Sequence, residues 1–273
     1  MFKVDVEKCI GCEQCIKDCS LSEIYLKEEK AYIKNERCSK CGHCIGICPV
    51  DAVYTDDYDM SEVKTYKKEE FAISPENLLN AIKFRRSVRR FKNKEVEREK
   101  IEQIIEAGRF TATSSNSQSV SFTVINNDLD KIRNLAYETL RKKGEEILSN
   151  SNESNNGYQR YAKYWINMHD AYKKDPQNND KLFFNAPSVI VVSAEKEIDA
   201  ALASSNMELM TNVLGLGTCF IGFFVIATAE NKELLDLLQI KENKKIISSM
   251  VIGYPGMKYQ RTVPRKKPDI EWM

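Results

Sequence analysis

Apolar and polar residues follow several spacings along the chain, and each spacing predicts a different element. Apolar positions between residues 78 and 91 repeat at helical spacing, and Ser74 followed by Pro75 is typical of a helix start. A further helix is expected at about 200–214, and the glycines at 215–222 predict a turn from it into a strand. Short apolar runs predict three strands, at 122–125, 189–192 and 246–255.

A change in composition marks a boundary in the first quarter of the chain. An apolar stretch at 49–53 gives way to an acidic one at 54–59, and a charged run follows at 67–70. A chain of 273 residues is expected to form about two domains. We therefore predict a first domain at 1–57, a connector at 58–74 and a second domain at 75–273.

Eight of the nine cysteines lie in two runs with the same spacing, C-x2-C-x2-C-x3-C. This spacing is typical of two [4Fe-4S] clusters, in which each run gives three thiolates to one cluster and its fourth to the other. The first cluster is therefore predicted to bind Cys9, Cys12, Cys15 and Cys48. The second is predicted to bind Cys38, Cys41, Cys44 and Cys19.

The two runs repeat with an offset of 29 residues (38 − 9), which predicts two related halves, each with a short strand and a ligand loop. A core this small is marginal, so bound clusters are expected to stabilise it. Ser20 follows Cys19, whereas Pro49 follows Cys48 in the second run. This difference predicts a less constrained backbone after Cys19 and a more labile or shifted cluster.

Structural zinc and disulfide bonds are the alternatives to iron–sulfur clusters. Zinc sites usually use pairs of cysteines, often with histidine, and here His43 lies inside the second run. Disulfides are typical of secreted chains, whereas Met1–Val4 is not expected to open a signal peptide.

Charge and hydropathy disfavour other classes of protein. The formal net charge is +1, which argues against a nucleic-acid or membrane-surface binder. No apolar stretch approaches the roughly 20 residues of a membrane span. We therefore expect a cytoplasmic protein of a reducing, oxygen-poor cell, with no nucleic-acid or membrane partner.

A cationic segment lies at the end of the first helix predicted for the second domain. The residues at 85–89 combine guanidinium groups with a hydroxyl, which suits a phosphate monoester, and a solvated basic helix face is the alternative. A polar loop at 114–118 leads into the strand at 122–125, and a second polar run at 150–157 predicts another loop.

The order of motifs in the second domain resembles the FMN-dependent nitroreductase family. The motifs are R-R-S-x-R at 85–89, a serine–asparagine loop at 114–118, Ala-Pro at 186–187, G-L-G-T-C-x-I-G at 215–222, G-Y-P at 253–255 and P-R-x-K at 264–267. The resemblance covers nearly all of residues 76–273. With its cysteine runs, the chain resembles a ferredoxin–nitroreductase fusion protein.

This resemblance implies an α+β fold, with a small two-cluster ferredoxin-like domain followed by a nitroreductase-like domain that has a central mixed sheet. It also implies a domain-interlocked homodimer with one FMN at each subunit interface. The residues implied to hold the FMN phosphate and ribityl chain are Arg85, Arg86, Ser87 and Arg89, with Arg265, Lys267 or both, and with Arg261 as a further candidate. Those implied to approach the flavin are Ser114 and Asn116 of the neighbouring subunit and the backbone N–H groups of Ile221 and Gly222.

The predicted function is that of an oxidoreductase with two [4Fe-4S] clusters and FMN. Electrons would pass from an external low-potential donor, ferredoxin-type or NAD(P)H, to the clusters, to FMN and on to a small electron-poor acceptor such as a nitroaromatic or a quinone. No side chain is predicted to be catalytic. The alternatives are a flavoprotein that oxidises NAD(P)H and exports electrons through its clusters, and a non-catalytic electron-transfer or redox-sensing module.

Other side chains have simpler interpretations. Cys219 is expected to be a packed thiol rather than a nucleophile. Tyr158, Tyr161 and Trp165 share one face of a predicted helix and are expected in the core, with a substrate-facing wall as the alternative. His169 is expected to be a surface or packing residue.

Overall fold

The structure, a computed structural model, describes residues 1–150 and 156–273 and divides the chain into two compact units. The cysteine-rich unit comprises Met1–Ile73 together with Thr113–Ser117. The α+β unit comprises Ser74–Ala112 and Gln118–Met273. The polar loop at 113–117 is thus grouped with the cysteine runs, although both its neighbours along the chain belong to the α+β unit.

The cysteine-rich unit is built from short elements joined by loops. Its strands are β1 (Phe2–Val4), β2 (Ile24–Lys27), β3 (Lys30–Ile33) and β4 (Val53–Thr55), and its helices are α1 (Gln14–Asp18), α2 (His43–Gly46) and α3 (Lys68–Phe71). β1 pairs with β4 and β2 with β3, both antiparallel. The buried core contains Cys9, Ile24, Ala31 and Ala52. So few apolar side chains give little hydrophobic stabilisation.

The α+β unit contains the longer elements. Its helices are α4 (Pro75–Phe84), α5 (Arg98–Arg109), α6 (Leu129–Ser149), α7 (Asn156–Lys174), α8 (Pro176–Asn179), α9 (Glu197–Val213), α10 (Gly222–Ala229) and α11 (Lys232–Leu237). Its strands are β5 (Ser121–Ile125), β6 (Ser188–Ala194), β7 (Gly217–Phe220) and β8 (Lys245–Gly253).

The four strands form one sheet in the order β5-β6-β8-β7 with antiparallel pairing. An isolated bridge between Ser87 and Thr218 is parallel, so the unit contains both parallel and antiparallel pairing. All seven residues of β6 are buried because helices cover both faces of the sheet. Val189 and Val191 pack with α6, α7 and α10, whereas Ile190 and Val192 pack with α5 and α9.

Helix α4 begins where the sequence predicts a start. Pro75 is its first residue, and the Ser74 hydroxyl accepts a hydrogen bond from the Asn77 N–H at 3.4 Å. The helix ends at Phe84, so the prediction of helical structure through residue 91 is wrong for the arginine-rich segment.

Pairing with the sheet explains why the segment at 85–91 is not helical. Arg85 has extended backbone, with φ −56° and ψ 147°. The Val88 N–H donates to the Thr218 carbonyl at 2.8 Å, and Phe91 forms an antiparallel bridge with Pro255. Hydrogen bonds to β7 and to the chain after β8 therefore replace those of a helix.

The remaining segments add little regular structure. Residues 258–273 form no helix or strand and are mostly exposed. In the polar run predicted to be a loop at 150–157, residues 151–155 lie outside the described residues, and α7 already begins at Asn156. Within the described part of the chain, no helix combines the length and hydropathy needed to cross a membrane.

Candidate functional site

The eight clustered cysteines line two separate cavities of the cysteine-rich unit. Cys9, Cys12, Cys15 and Cys48 line the first. Cys19, Cys38, Cys41 and Cys44 line the second. Each cavity therefore combines three cysteines of one run with the last cysteine of the other, which is the crossed arrangement that the spacing predicts.

The last cysteine of each run is held by the same backbone turn. The Glu23 N–H donates to Cys19 Sγ at 3.4 Å, and the Ala52 N–H donates to Cys48 Sγ at 3.2 Å. Such N–H···S bonds stabilise a ligating thiolate and tune the potential of its cluster. Ser20 therefore leaves this turn in place, although it lacks the ring of proline.

Glu23 is a buried residue of this region that the sequence did not single out. Its carboxylate accepts hydrogen bonds from the N–H groups of Glu36 at 2.8 Å and Arg37 at 3.0 Å. Donation by Arg37 lowers the pKa of this carboxyl, and so does donation by Glu36. Glu23 thereby orders the chain that enters the second run at Cys38. No local pattern reveals this role, because its partners lie 13 and 14 residues away.

The thiol chemistry fits a metal-bearing group. Burial, and next the neighbouring Cys41, raise the pKa of the Cys44 thiol to about 12. Burial also raises the pKa of Cys15, where Cys12 is the next cause. Because ligating cysteines must be deprotonated, a bound cation is needed to stabilise thiolates here. Among the described residues, no group of three or more His, Cys, Asp or Glu is arranged to hold a metal ion, whereas the thiolates of a four-iron cluster bind different irons.

The α+β unit has a large cavity of about 1170 Å³, which exceeds the usual volume of a small-molecule site. Four of the predicted FMN residues line it: Ser87, Arg89, Ile221 and Gly222. Aromatic side chains complete much of the wall, namely Phe91, Tyr164, Phe184, Phe220, Phe223 and Tyr259. The cavity thus combines cationic and hydroxyl groups with flat apolar rings.

A glycine in β7 allows the arginine-rich segment to reach this cavity. A Cβ atom added at Gly217 would lie 2.7 Å from the Val88 side chain, closer than carbon atoms approach. Val88 is buried, and its neighbours Ser87 and Arg89 line the cavity. At Gly222, by contrast, an added Cβ would meet no atom within 4 Å, so the backbone there faces open space.

The first turn of α10 lies at the same cavity. The Ile221 N–H, implied to approach the flavin, donates instead to the Ser249 carbonyl at 2.9 Å. The N–H groups of Gly222 and Phe223 open the helix, where no intrahelical acceptor exists. The positive end of the helix dipole is therefore provided by these two residues rather than by Ile221.

Arg85 and Arg86 lie apart from the large cavity. They line a smaller one of about 270 Å³, where Arg85 Nη1 forms an ion pair with Glu208 Oε1 at 2.7 Å. The Arg86 Nη1 atom donates to the Lys83 carbonyl at 2.9 Å. Arg86 Nε and Thr218 Oγ1 are buried without a partner among the described residues, so this cavity retains unused polar atoms.

The other predicted FMN residues are not brought to the large cavity. Ser114 and Asn116 belong to the cysteine-rich unit, where the Asn116 amide donates to the carbonyls of Ser39 and Lys40. Arg265 and Lys267 lie in the exposed terminal segment. Their proposed roles remain predictions.

Asp180 organises a wall of the large cavity. Its buried carboxylate accepts hydrogen bonds from the Tyr137 hydroxyl at 3.0 Å and from the Phe183 and Asn185 N–H groups at 2.9 Å each. Phe184 and Asn185 have left-handed backbone, with φ of 58° and 52°. Such conformations persist only where the surroundings hold them. No sequence pattern marks this carboxylate beyond its position before the apolar residues 182–184.

The aromatic helix α7 divides between core and cavity. Trp165 is buried, and its ring packs edge-on against Phe223 at 5.6 Å, whereas Tyr164 lines the cavity. Tyr158 and Tyr161 are exposed, so the expectation of a core position is wrong for these two residues. His169 is buried, with Nε2 at 3.1 Å from the Glu138 carboxylate, and is a packing residue rather than a surface one.

Cys219 is buried and lines the large cavity. Burial raises the pKa of its thiol, and the nearby Arg89 opposes that rise. A neutral, packed thiol is what these surroundings favour.

Comparison with known proteins gives two family matches. A family model described as the nitroreductase family matches residues 82–254, and one described as a 4Fe-4S dicluster domain matches residues 1–66. An NADPH-dependent oxidoreductase of Staphylococcus aureus strain USA300 is 28% identical over 162 residues, which are 59% of each chain. The chain thus spans about 59% of the length of the curated relatives it matches.

Solved structures share the fold of the α+β unit. A nitroreductase with bound FMN from Bacteroides fragilis aligns with a TM-score of 0.52 and 22% identity, over 71% of this chain and 97% of its own. A second nitroreductase with bound FMN, from Desulfitobacterium hafniense, aligns with a TM-score of 0.52 and 21% identity, over 71% and 98%.

Proposed function

Because the chain belongs to the nitroreductase family and carries a 4Fe-4S dicluster domain, we propose that it is an oxidoreductase that passes electrons between iron–sulfur clusters and FMN. The acceptor is a small electron-poor molecule, such as a nitroaromatic or a quinone. One observation carries this proposal: a chain with two four-cysteine cavities also has a large cavity lined by Ser87, Arg89 and the start of α10.

The residues suit the two kinds of cofactor. The two cysteine sets would each hold a [4Fe-4S] cluster, and the large cavity would hold FMN. When bound, the clusters supply one-electron transfer, and FMN supplies two-electron storage with release singly or as a hydride. Arg85, Arg86, Arg265 and Lys267 remain candidates for the FMN phosphate, and Ser114 remains a candidate for a flavin contact across a dimer.

This chain's own groups would orient the cofactor and the acceptor. The Arg89 guanidinium and the N–H groups of Gly222 and Phe223 favour negative charge at the cavity wall. The rings of Phe184 and Phe223 offer flat apolar surface for an aromatic acceptor and limit the access of water.

An exposed apolar face supports the proposal of a homodimer. No residue of α4 is buried, and Leu78, Leu79, Ile82 and Phe84 are each at least 40% exposed. A contiguous apolar face of this kind is typical of an interaction site. Sedimentation of the wild type should give a dimer, and Leu79→Asp should shift it toward the monomer.

The proposal leaves the identity of the electron donor, and with it the direction of electron flow, to experiment. The staphylococcal relative is named an NADPH-dependent oxidoreductase, which favours the alternative that NADPH reduces FMN and the clusters export the electrons. Electron flow from the clusters to FMN and flow from FMN to the clusters use the same cofactors. The two are therefore distinguished by which donor reduces the protein.

The test begins with protein purified without oxygen. We expect about eight iron atoms, about eight sulfides and one FMN per chain. The loaded protein is then mixed with a reduced ferredoxin or with NADPH, and flavin absorbance and nitroaromatic turnover are followed. Flavin bleaching by NADPH alone favours electron export, whereas turnover that requires the ferredoxin favours the main proposal. Colourless protein without sulfide or flavin would contradict both.

A further inference from the structure

The amide of Asn116 is bound to the ligand loop of the second cysteine run. Its Nδ2 atom donates to the carbonyl oxygens of Ser39 and Lys40, each at 3.0 Å. The Lys40 carbonyl also accepts a hydrogen bond from the Tyr58 hydroxyl at 3.1 Å. The bridged peptides lie between Cys38 and Cys41, two cysteines of the second cavity.

The backbone of the 113–117 loop is held in a shape that few residues adopt. Ser115 and Asn116 are both left-handed, with φ of 54° and 53°. Asparagine tolerates this region better than most side chains, and consecutive positive φ values persist only in a well-held loop. The loop is closed by the Asn116 N–H, which donates to the Thr113 carbonyl at 3.0 Å. The Asn116 amide is thus presented to the cysteine loop by a constrained backbone.

Peptide geometry gives these two bonds a consequence for the cysteine loop. In a planar trans peptide, the carbonyl of one residue and the N–H of the next point in opposite directions. Fixing the carbonyls of Ser39 and Lys40 toward Asn116 therefore turns the N–H groups of Lys40 and Cys41 away from it. The orientation of N–H groups around ligating sulfurs is one of the factors that set cluster potential and lability.

We propose that Asn116 is a positioning residue for the cluster held by Cys19, Cys38, Cys41 and Cys44. This role rests on the proposed function, because it requires the cluster to be present. It differs from the role that family resemblance gives this asparagine, which is a contact with the flavin. Both N–H groups of the Asn116 amide donate to the ligand loop of the second cysteine run, so the proposed effect is on that cluster and not on the other.

The test compares Asn116→Asp with the wild type in the full chain, reconstituted without oxygen. An aspartate of the same size cannot donate and sets negative oxygens against the two carbonyls, so the loop loses both bonds. Iron release to a chelator, the EPR spectrum of the reduced protein and the FMN content are measured. We expect half of the iron to leave about fivefold faster, a change in one of two cluster signals, and unchanged FMN content.

Two further variants serve as controls, one for disturbance of the 113–117 loop and one for the hydrogen bonds to the Lys40 carbonyl. Ser115→Ala changes the same loop without touching the amide and should leave iron release unchanged. Tyr58→Phe removes the other donor to the Lys40 carbonyl and should shift the same cluster signal by a smaller amount. These variants separate loss of the amide from general disturbance of the loop.

The outcomes that overturn the proposal are distinct. Unchanged iron release and EPR in Asn116→Asp, or loss of FMN with intact clusters, would overturn the positioning role alone. Equal acceleration of all the iron, or the same effect in Ser115→Ala, would also overturn it. Wild-type protein without iron and sulfide would overturn the proposed function and this role together.

Discussion

Arg85 and Arg89 carry the same charge but lie in different surroundings. The Arg85 guanidinium is half-buried and paired with Glu208 at 2.7 Å, so part of its charge is already neutralised. Arg89 lines the large cavity, and its guanidinium carbon lies 5.9 Å from the centre of the Phe184 ring. At the residue scale, Arg89 is therefore the arginine that is placed to meet a bound anion or flavin edge.

We expect Arg89→Ala to weaken FMN binding by about 10- to 100-fold, because charge-assisted hydrogen bonds are the strong ones. Arg85→Ala should weaken it less, since that side chain already serves Glu208. Fluorescence titration of the apoprotein with FMN measures both. Arg98→Ala, which removes an exposed arginine of α5, is the control. A larger loss for Arg85→Ala than for Arg89→Ala would contradict the assignment.

The buried carboxylate of Asp180 gives a second prediction at this scale. It lies 3.1 Å from Arg133 Nε and accepts several N–H bonds, so Asp180→Asn leaves buried partners unsatisfied. The free energy of unfolding should fall by about 3 kcal/mol in urea denaturation. Asp130→Asn removes an exposed partner of the same arginine and should change it by less than about 1 kcal/mol. Equal losses of stability in Asp180→Asn and Asp130→Asn would contradict the importance of the buried hydrogen bonds to Asp180.

At the scale of elements, the approach of the arginine-rich segment to β7 depends on the absence of a side chain at Gly217. The parallel bridge from Ser87 to Thr218 holds the backbone at this point, while Val88 fills the space above the glycine. The position of Ser87 and Arg89 thus follows from a contact between two elements far apart in sequence.

Gly217→Ala should displace this segment, lower the free energy of unfolding by about 1–3 kcal/mol and weaken FMN binding. Adding Val88→Ala should restore part of the free energy of unfolding and part of the FMN affinity, because it makes room for the new methyl group. Gly157→Ala, where an added Cβ meets nothing within 4 Å, is the control. A double variant no better than Gly217→Ala would refute the steric explanation.

The start of α5 is joined to the chain after β8 by a second contact between elements. The Tyr254 hydroxyl donates to Glu97 Oε2 at 2.6 Å and accepts a bond from Lys100 Nζ at 2.7 Å. Donation by Tyr254 is the main cause that lowers the pKa of Glu97 to about 2.

A carboxyl with a depressed pKa stabilises the fold above its unfolded pKa of about 4.3, and that contribution is lost as the pH falls toward 2. An NMR titration should place the Glu97 midpoint near pH 2 in the wild type. In Tyr254→Phe it should move toward the ordinary value. Identical midpoints in the two proteins would show that the hydroxyl has no such effect.

At the scale of the whole molecule, the two units differ in what stabilises them. The α+β unit has two large apolar clusters on either side of its sheet, whereas the cysteine-rich unit buries few apolar residues. Removing the iron with a chelator should therefore unfold the cysteine-rich unit and leave the α+β unit folded. Amide hydrogen exchange read by mass spectrometry would show rapid exchange confined to residues 1–73 and 113–117. Retained protection there without iron would contradict this expectation.

Much of this organisation could be predicted because its signals are local. The cysteine spacing predicts the two sets that line separate cavities, and Ser74 with Pro75 marks the start of α4. The end of that helix could not be predicted, because the apolar spacing continues past Phe84 while the competing bonds come from Thr218, more than a hundred residues away. Glu23 and Asp180 were missed for the same reason: their acceptor roles depend on N–H groups that only the folded chain assembles.

The segment at 113–117 has a consequence for dissecting the molecule. Since its immediate neighbours along the chain belong to the α+β unit, a single scission after Ile73 does not yield two self-sufficient fragments. The fragment that starts at Ser74 keeps Asn116 but loses the carbonyls of Ser39 and Lys40 that its amide binds. A truncated α+β unit would carry an unanchored loop of polar residues, and its behaviour would misrepresent the intact polypeptide.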